Sequence, residues 1–189
     1  LIVFFFSIFI ALSNGGKIVQ DVEKKIESLD FKGNLKKNIS NKSRFGIQYA
    51  NLVVFSQNPI IGVGFGQQGF QALYYYPFWD KNDNYEFKQI YLNKKNPSFP
   101  PGYNLFVRLL AETGIIGFSI FLYLLYFVIK TSVRIIQREE GVEKTIAIVL
   151  LVTFVGFSLN WLQLDSFRMY GFWLCLAILI KLNLNLNEK

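Results

Sequence analysis

The chain has 189 residues, 52% of them apolar and 17% aromatic, with 20 Lys and Arg against 13 Asp and Glu. It has no histidine and one cysteine, Cys175, which excludes histidine bases, Cys–His nucleophiles and the usual zinc sites. The apolar residues come in blocks, a distribution that points to a bilayer rather than to a water-facing core.

The first block, residues 1–12, reads as the end of a transmembrane helix whose beginning is missing. The alternative is the apolar region of a signal peptide, with Ala11-Leu12-Ser13 as its exit, although no basic residue precedes it. Residues 13–104 form a long loop that holds twelve of the Lys and Arg residues and seven of the acids. Its opening, 17–41, is charged and poor in aromatics, as in a solvated helix. Over 43–55, Arg44, Gln48 and Asn51 recur at i, i+4, i+7, with Phe45, Tyr49 and Leu52 one step behind. That is the pattern of a two-faced helix suited to a membrane interface, with Arg44 facing out.

Asn58-Pro59 ends that helix and starts Ile60-Ile61-Gly62-Val63-Gly64-Phe65-Gly66, where alternate glycines permit positive φ or a close backbone approach. The spacing is not that of a dinucleotide-binding loop. Gly62 and Gly64 are candidate substrate-binding positions. Residues 74–103 are rich in Tyr, Phe, Trp, Asn and Pro, a composition suited to stacking on sugar faces; an interfacial aromatic belt explains Tyr74, Tyr75, Tyr76, Phe78 and Trp79 equally well.

Further on, 105–129, 145–164 and the shorter 169–182 read as transmembrane helices, since about 20 apolar residues cross a bilayer core. The loop 130–144 carries Lys130, Arg134, Arg138 and Lys144, whereas the turn 165–168 carries one basic residue, so the former is expected in the cytoplasm together with the tail 183–189. The fold class expected is an all-α polytopic membrane protein with one long extracytoplasmic loop that contains an amphipathic helix.

Pro100-Pro101-Gly102-Tyr103-Asn104 reads as a turn into the 105–129 helix, with Asn104 as N-cap and the free N–H groups of the terminus facing lipid phosphate. Asn104, Arg108 and Glu112 share one face at i, i+4, i+8, and charges inside a span are functional suspects. The structural alternative is that Arg108 pairs with Glu112 across one turn and holds neighbouring helices together. Alternation of the spans puts Asp165 and Arg168 at the same level, where with Arg44 they would form a charged bowl able to hold a pyrophosphate.

The order Arg44, then Asn58-Pro59-Ile60-Ile61-Gly62-Val63-Gly64, then Tyr103-Asn104 with Gly114 and Gly117 at the head of a span resembles the C-terminal part of the O-antigen ligase and polymerase superfamily. The family's closing motif is His, then Asn, Ser or Gln, nine residues, Gly, two residues, and Gly, Thr or Tyr; here Tyr103 stands where the histidine would. The resemblance covers about 44–117 and implies an inverting, metal-independent glycosyltransferase in the bacterial cytoplasmic membrane, without a cofactor. Its substrate would be an undecaprenyl-diphosphate-linked glycan, with a chain-length regulator and a flippase as possible partners and no nucleic acid. Together with the charges read on the spans, it makes Arg44, Tyr103 and Glu112 the candidate catalytic residues, and Asn104, Arg108, Asp165 and Arg168, beside the two glycines, the candidate substrate-binding ones. Tyrosine has an ordinary pKa near 10 and is a poor base at neutral pH, which favours a repeat-unit polymerase over a ligase that attaches finished glycan to lipid A core or protein. A non-catalytic component that binds or transports lipid-linked glycan is the reading from another class.

Overall fold

The computed structural model describes residues 39–78, 84–93, 95 and 98–188. The membrane segment expected at 1–12, the solvated helix expected from Lys17 up to residue 38, and Trp79 lie outside these residues. The described chain is helical: α1 (Ile39–Gln57), α2 (Gln68–Ala72), a π-helical turn (Phe87–Tyr91), α3 (Leu105–Arg138), α4 (Gly141–Asn160) and α5 (Tyr170–Glu188). No strand occurs among the described residues.

Helices α3 and α4 are long and apolar enough to cross a membrane, and α5 carries a shorter apolar run. They pack around a core in which Trp161 and Phe172 lie 4.8 Å apart, Phe121 and Trp161 5.5 Å, and Phe154 and Phe172 5.4 Å between ring centres. The opposite faces stay apolar and open, with Ile120 and Val152 each 67% exposed. An apolar exterior on helices of this length is what hydrocarbon rather than water solvates.

Helix α3 runs past the expected end at 129 as far as Arg138, so the loop expected over 130–144 shrinks to Glu139 and Glu140. The reason is periodicity: Val128, Thr131, Ser132 and Ile135 recur at helical spacing and are all buried, so the helix continues despite its basic residues. The chain then turns at Gly141, whose φ is +64°.

A second, smaller core joins Ile47, Ala50 and Val54 of α1 to Ala72, Tyr76, Phe87 and Ala111 of α3. Helix α1 is therefore docked on the first part of α3. Its two faces differ from those the sequence suggests. Asn51, read as part of the outward polar stripe, is fully buried, while Tyr49 and Leu52 are exposed. The buried stripe is Ser43, Ile47, Ala50 and Val54, in which small residues allow α1 to approach closely.

Candidate functional site

Helix α3 is broken near its start. Gly114 has φ +62° and ψ −165°, which separates a short section, 105–113, from the long apolar section 115–138. A break leaves carbonyls without partners on one side and N–H groups on the other. The loop after Asn58-Pro59 satisfies both sets. Val63 and Gly64 N–H donate to the carbonyls of Ala111 and Glu112 at 3.0 and 2.8 Å, and Ile115 and Ile116 N–H donate to those of Pro59 and Ile60 at 2.8 and 3.3 Å. Backbone meets backbone so closely that a Cβ at Gly62 would collide with the main chain of Glu112, and one at Gly114 with that of Ile60. The alternate glycines thus adopt positive φ as expected, +68° at Gly62 and +100° at Gly64, but what they approach is α3.

The short section carries the charges. Arg108 Nε donates to Glu112 Oε1 at 3.0 Å, and Arg108 Nη1 donates to the Asp165 carbonyl at 2.9 Å while lying 3.6 Å from its carboxylate. Asp165 Oδ2 also accepts from the Gly102 N–H, and Gly102 fits between Asp165 and Arg108 with little room for a side chain. Phe65 from the glycine loop covers the guanidinium, 5.6 Å from its ring centre. Glu112 is buried, and its Oε2 has no hydrogen-bond partner. Arg108, Glu112 and Asp165 therefore form one cross-braced cluster, the arrangement in which Arg108 holds neighbouring segments together.

The turn into α3 behaves as read in one respect and not in another. Asn104 is the N-cap, its Oδ1 accepting from Val107 N–H at 3.2 Å. Part of the terminus is already engaged, however. Leu105 N–H donates to the carbonyls of Trp161 and Leu164 at 2.9 and 3.1 Å, and Arg108 N–H to that of Asn104 at 3.0 Å. The α4–α5 turn folds over the terminus and takes the Leu105 donor, one of those expected to face phosphate.

Arg44 and Tyr103, 59 positions apart in sequence, meet here. The Arg44 guanidinium carbon lies 5.1 Å from the centre of the Tyr103 ring, and Arg44 Nε is buried without a hydrogen-bond partner. Tyr103 has φ +55°, a conformation that a bulky side chain rarely adopts and that is characteristic of strained functional positions. Its hydroxyl lies close enough to that of Tyr91, on the π-helical turn, to act on it, and Tyr91 donates to Glu86 Oε1 at 3.2 Å. Glu86 Oε2 accepts from Ser43 Oγ at 2.6 Å, and Ser43 Oγ accepts from Asn84 Nδ2 at 2.7 Å. Burial, with the hydroxyl and carboxylate beside it, pushes the Tyr91 phenol well above the ordinary tyrosine range, so it stays protonated.

The sequence reading missed Glu86, Tyr91, Ser43 and Asn84. The one local signal was a carboxylate and two tyrosines, Tyr85 and Tyr91, bracketing a buried Phe87 in an otherwise polar stretch. Arg168 does not join the expected bowl; its side chain is exposed, and its backbone N–H donates to Ser166 Oγ. The aromatic stretch divides, with Tyr76 in the core edge-on to Phe87 at 4.7 Å, and Tyr74 and Phe78 exposed. Among the described residues no cluster of three or more His, Cys, Asp or Glu is arranged to hold a metal. No family model matches the chain, and neither the curated proteins nor the solved structures contain a match.

Proposed function

We propose that the chain belongs to a multi-pass glycosyltransferase of the O-antigen polymerase type in a bacterial cytoplasmic membrane, with residues 13–104 on the periplasmic side. The observation that carries this reading is the meeting of Arg44 with Tyr103. These are the two positions at which the family motif begins and closes, and Arg44 has a donor still free for an anion. The substrate is a glycan repeat on undecaprenyl diphosphate.

In the proposed reaction an acceptor hydroxyl attacks the anomeric carbon of the lipid-linked sugar. A new glycosidic bond forms, the bond from carbon to phosphate oxygen breaks with inversion, and the diphosphate leaves with the bonding electron pair. Arg44 stabilises the charge that develops there, which is electrostatic catalysis of the leaving group. Tyr103 contacts the acceptor in the place of the family's histidine. A phenol that stays protonated is a poor base, but a pair of phenols this close passes a proton on as it receives one. The acceptor proton enters at Tyr103, Tyr103 gives its own to Tyr91, and Tyr91 gives its own to the Glu86 carboxylate. Glu86 acts through the tyrosines and is a positioning and proton-accepting residue; Glu112, engaged with Arg108, is a structural one.

Full-length protein given a lipid-linked repeat and no other acceptor should make a ladder of polymers, and Arg44→Ala should abolish it while insertion is unchanged. Wild-type chain length in that variant would remove the assignment, and transfer to lipid A core without any ladder would replace polymerisation by ligation. Glu86→Gln should lower turnover by about 10²-fold, the scale of one proton-transfer contribution, with little change in KM. Turnover unchanged, or a loss confined to KM, would detach Glu86 from the reaction.

A further inference from the structure

At the end of the bundle away from Leu105, α3 and α5 enclose a cavity of about 250 Å³ that the reaction above leaves unused. Tyr123, Tyr126, Lys130, Thr131, Arg134 and Asn183 line it. Two cations and no carboxylate are among the lining residues. The Lys130 ammonium rests 5.6 Å from the centre of the Tyr126 ring. Tyr123 and Tyr126 lie 6.3 Å apart and are 68% and 56% exposed, an apolar wall that continues along the open face of α3. The Asn183 side-chain oxygen is a buried acceptor with no hydrogen-bond partner, a group that is costly unless a donor reaches it. The chemistry that meets all of these features at once is a phosphate for the cations, a hydroxyl donor for Asn183, and hydrocarbon for the aromatic wall.

We propose that this cavity is a binding site for the headgroup of an anionic, hydroxyl-bearing phospholipid of the phosphatidylglycerol type. The position fits that ligand. Lys130, Arg134 and Arg138 follow the apolar part of α3, at the end that the distribution of short-loop charge assigns to the cytoplasm, where basic pockets between spans meet anionic headgroups. A free phosphate would satisfy the cations, and its own hydroxyl can serve Asn183, but it would leave the tyrosine wall uncovered. The site rests on the reading of α3 as a membrane span and is independent of the glycosyltransferase assignment.

Full-length protein in phosphatidylcholine nanodiscs doped with phosphatidylglycerol, and separately in detergent with either lipid or inorganic phosphate, provides the test. Lipid retained on the protein is counted by native mass spectrometry. Phosphatidylglycerol should be retained in preference to phosphatidylcholine and should raise the unfolding midpoint, with inorganic phosphate ineffective. Each cation near a charged headgroup contributes roughly fivefold, so Lys130→Ala with Arg134→Ala should lower retention on the order of twentyfold. Lys130→Arg with Arg134→Lys, which keeps both charges, should retain the lipid. Equal retention of the two lipids by wild type, undiminished retention in the double alanine variant, or loss of preference in the charge-keeping variant would each overturn the proposal. A stabilisation by inorganic phosphate equal to that by the lipid would reassign the site to a soluble anion. Release of the protein from membranes by alkaline carbonate would instead remove the span reading itself.

Discussion

The two sections of α3 share an apolar core but differ in how much polar geometry is added to it. Residues 115–138 pack as apolar surface against α4 and α5, with Phe121, Val128 and Ile135 in the core and Ile120 left open on the other face. Residues 105–113 reach the same core through Leu105 and Leu109 but are fixed in addition by polar geometry: an N-cap, an ion-pair cluster, and two backbone hydrogen bonds from the glycine loop, with two more to that loop on the far side of the break. Dispersion and apolar contact tolerate shifts and substitutions of similar volume, whereas hydrogen bonds and buried charges do not. The site of proposed chemistry lies beside the second section, at the turn that enters it through Tyr103.

If that contrast is right, the largest effect in the molecule should come from a single methyl group. Gly114→Ala places a Cβ against the main chain of Ile60 at a backbone angle only glycine adopts easily, and Gly62→Ala does the same against Glu112. Each should cost on the order of 4 kcal/mol, the exceptional range for a point substitution, read as loss of monodisperse protein on size-exclusion chromatography in detergent. A stable Gly114→Ala protein would mean that α3 runs unbroken. Next in size is Arg108→Ala, which leaves the Glu112 carboxylate buried and should cost about 3 kcal/mol by thermal unfolding, the lower end for a broken buried pair because Arg108 is partly exposed. Arg108→Met combined with Glu112→Leu should recover most of that loss, because no charge is then stranded. Equal instability of the single and double variants would place the defect in packing and blur the contrast. The smallest effect belongs to Gly66→Ala. Its φ is +78° but nothing lies within 4 Å of the added Cβ, so only conformational strain of about 1 kcal/mol is expected.

Much of this was legible in the residues themselves. The apolar runs marked all three helices of the bundle, Asn104 marked the cap, and the i, i+4 spacing marked the Arg108–Glu112 pair. Asp165 was placed beside them by alternation of helices alone. The break at Gly114 was not legible, because glycine within a helix is common and its partner lies some fifty positions upstream. The long basic extension of α3 was read as a loop because its charges outweighed its buried Thr131, Ser132 and Ile135 in the reading. The Ser43, Glu86 and Tyr91 connections escaped for a plainer reason: 43 positions separate Ser43 from Glu86, and no local period signals such a contact.

The bridged break also bears on how the protein is made. As α3 forms, Ala111, Glu112, Ile115 and Ile116 present backbone groups that a continuous helix would have paired internally, and leaving these in an apolar medium is costly. Their partners, Pro59 through Gly64, precede them in the chain and have already been synthesised when α3 appears. The segment that closes the break is therefore already in the chain before the helix that needs it. A ribosome-arrested chain ending beyond residue 140 already contains everything needed to close the break.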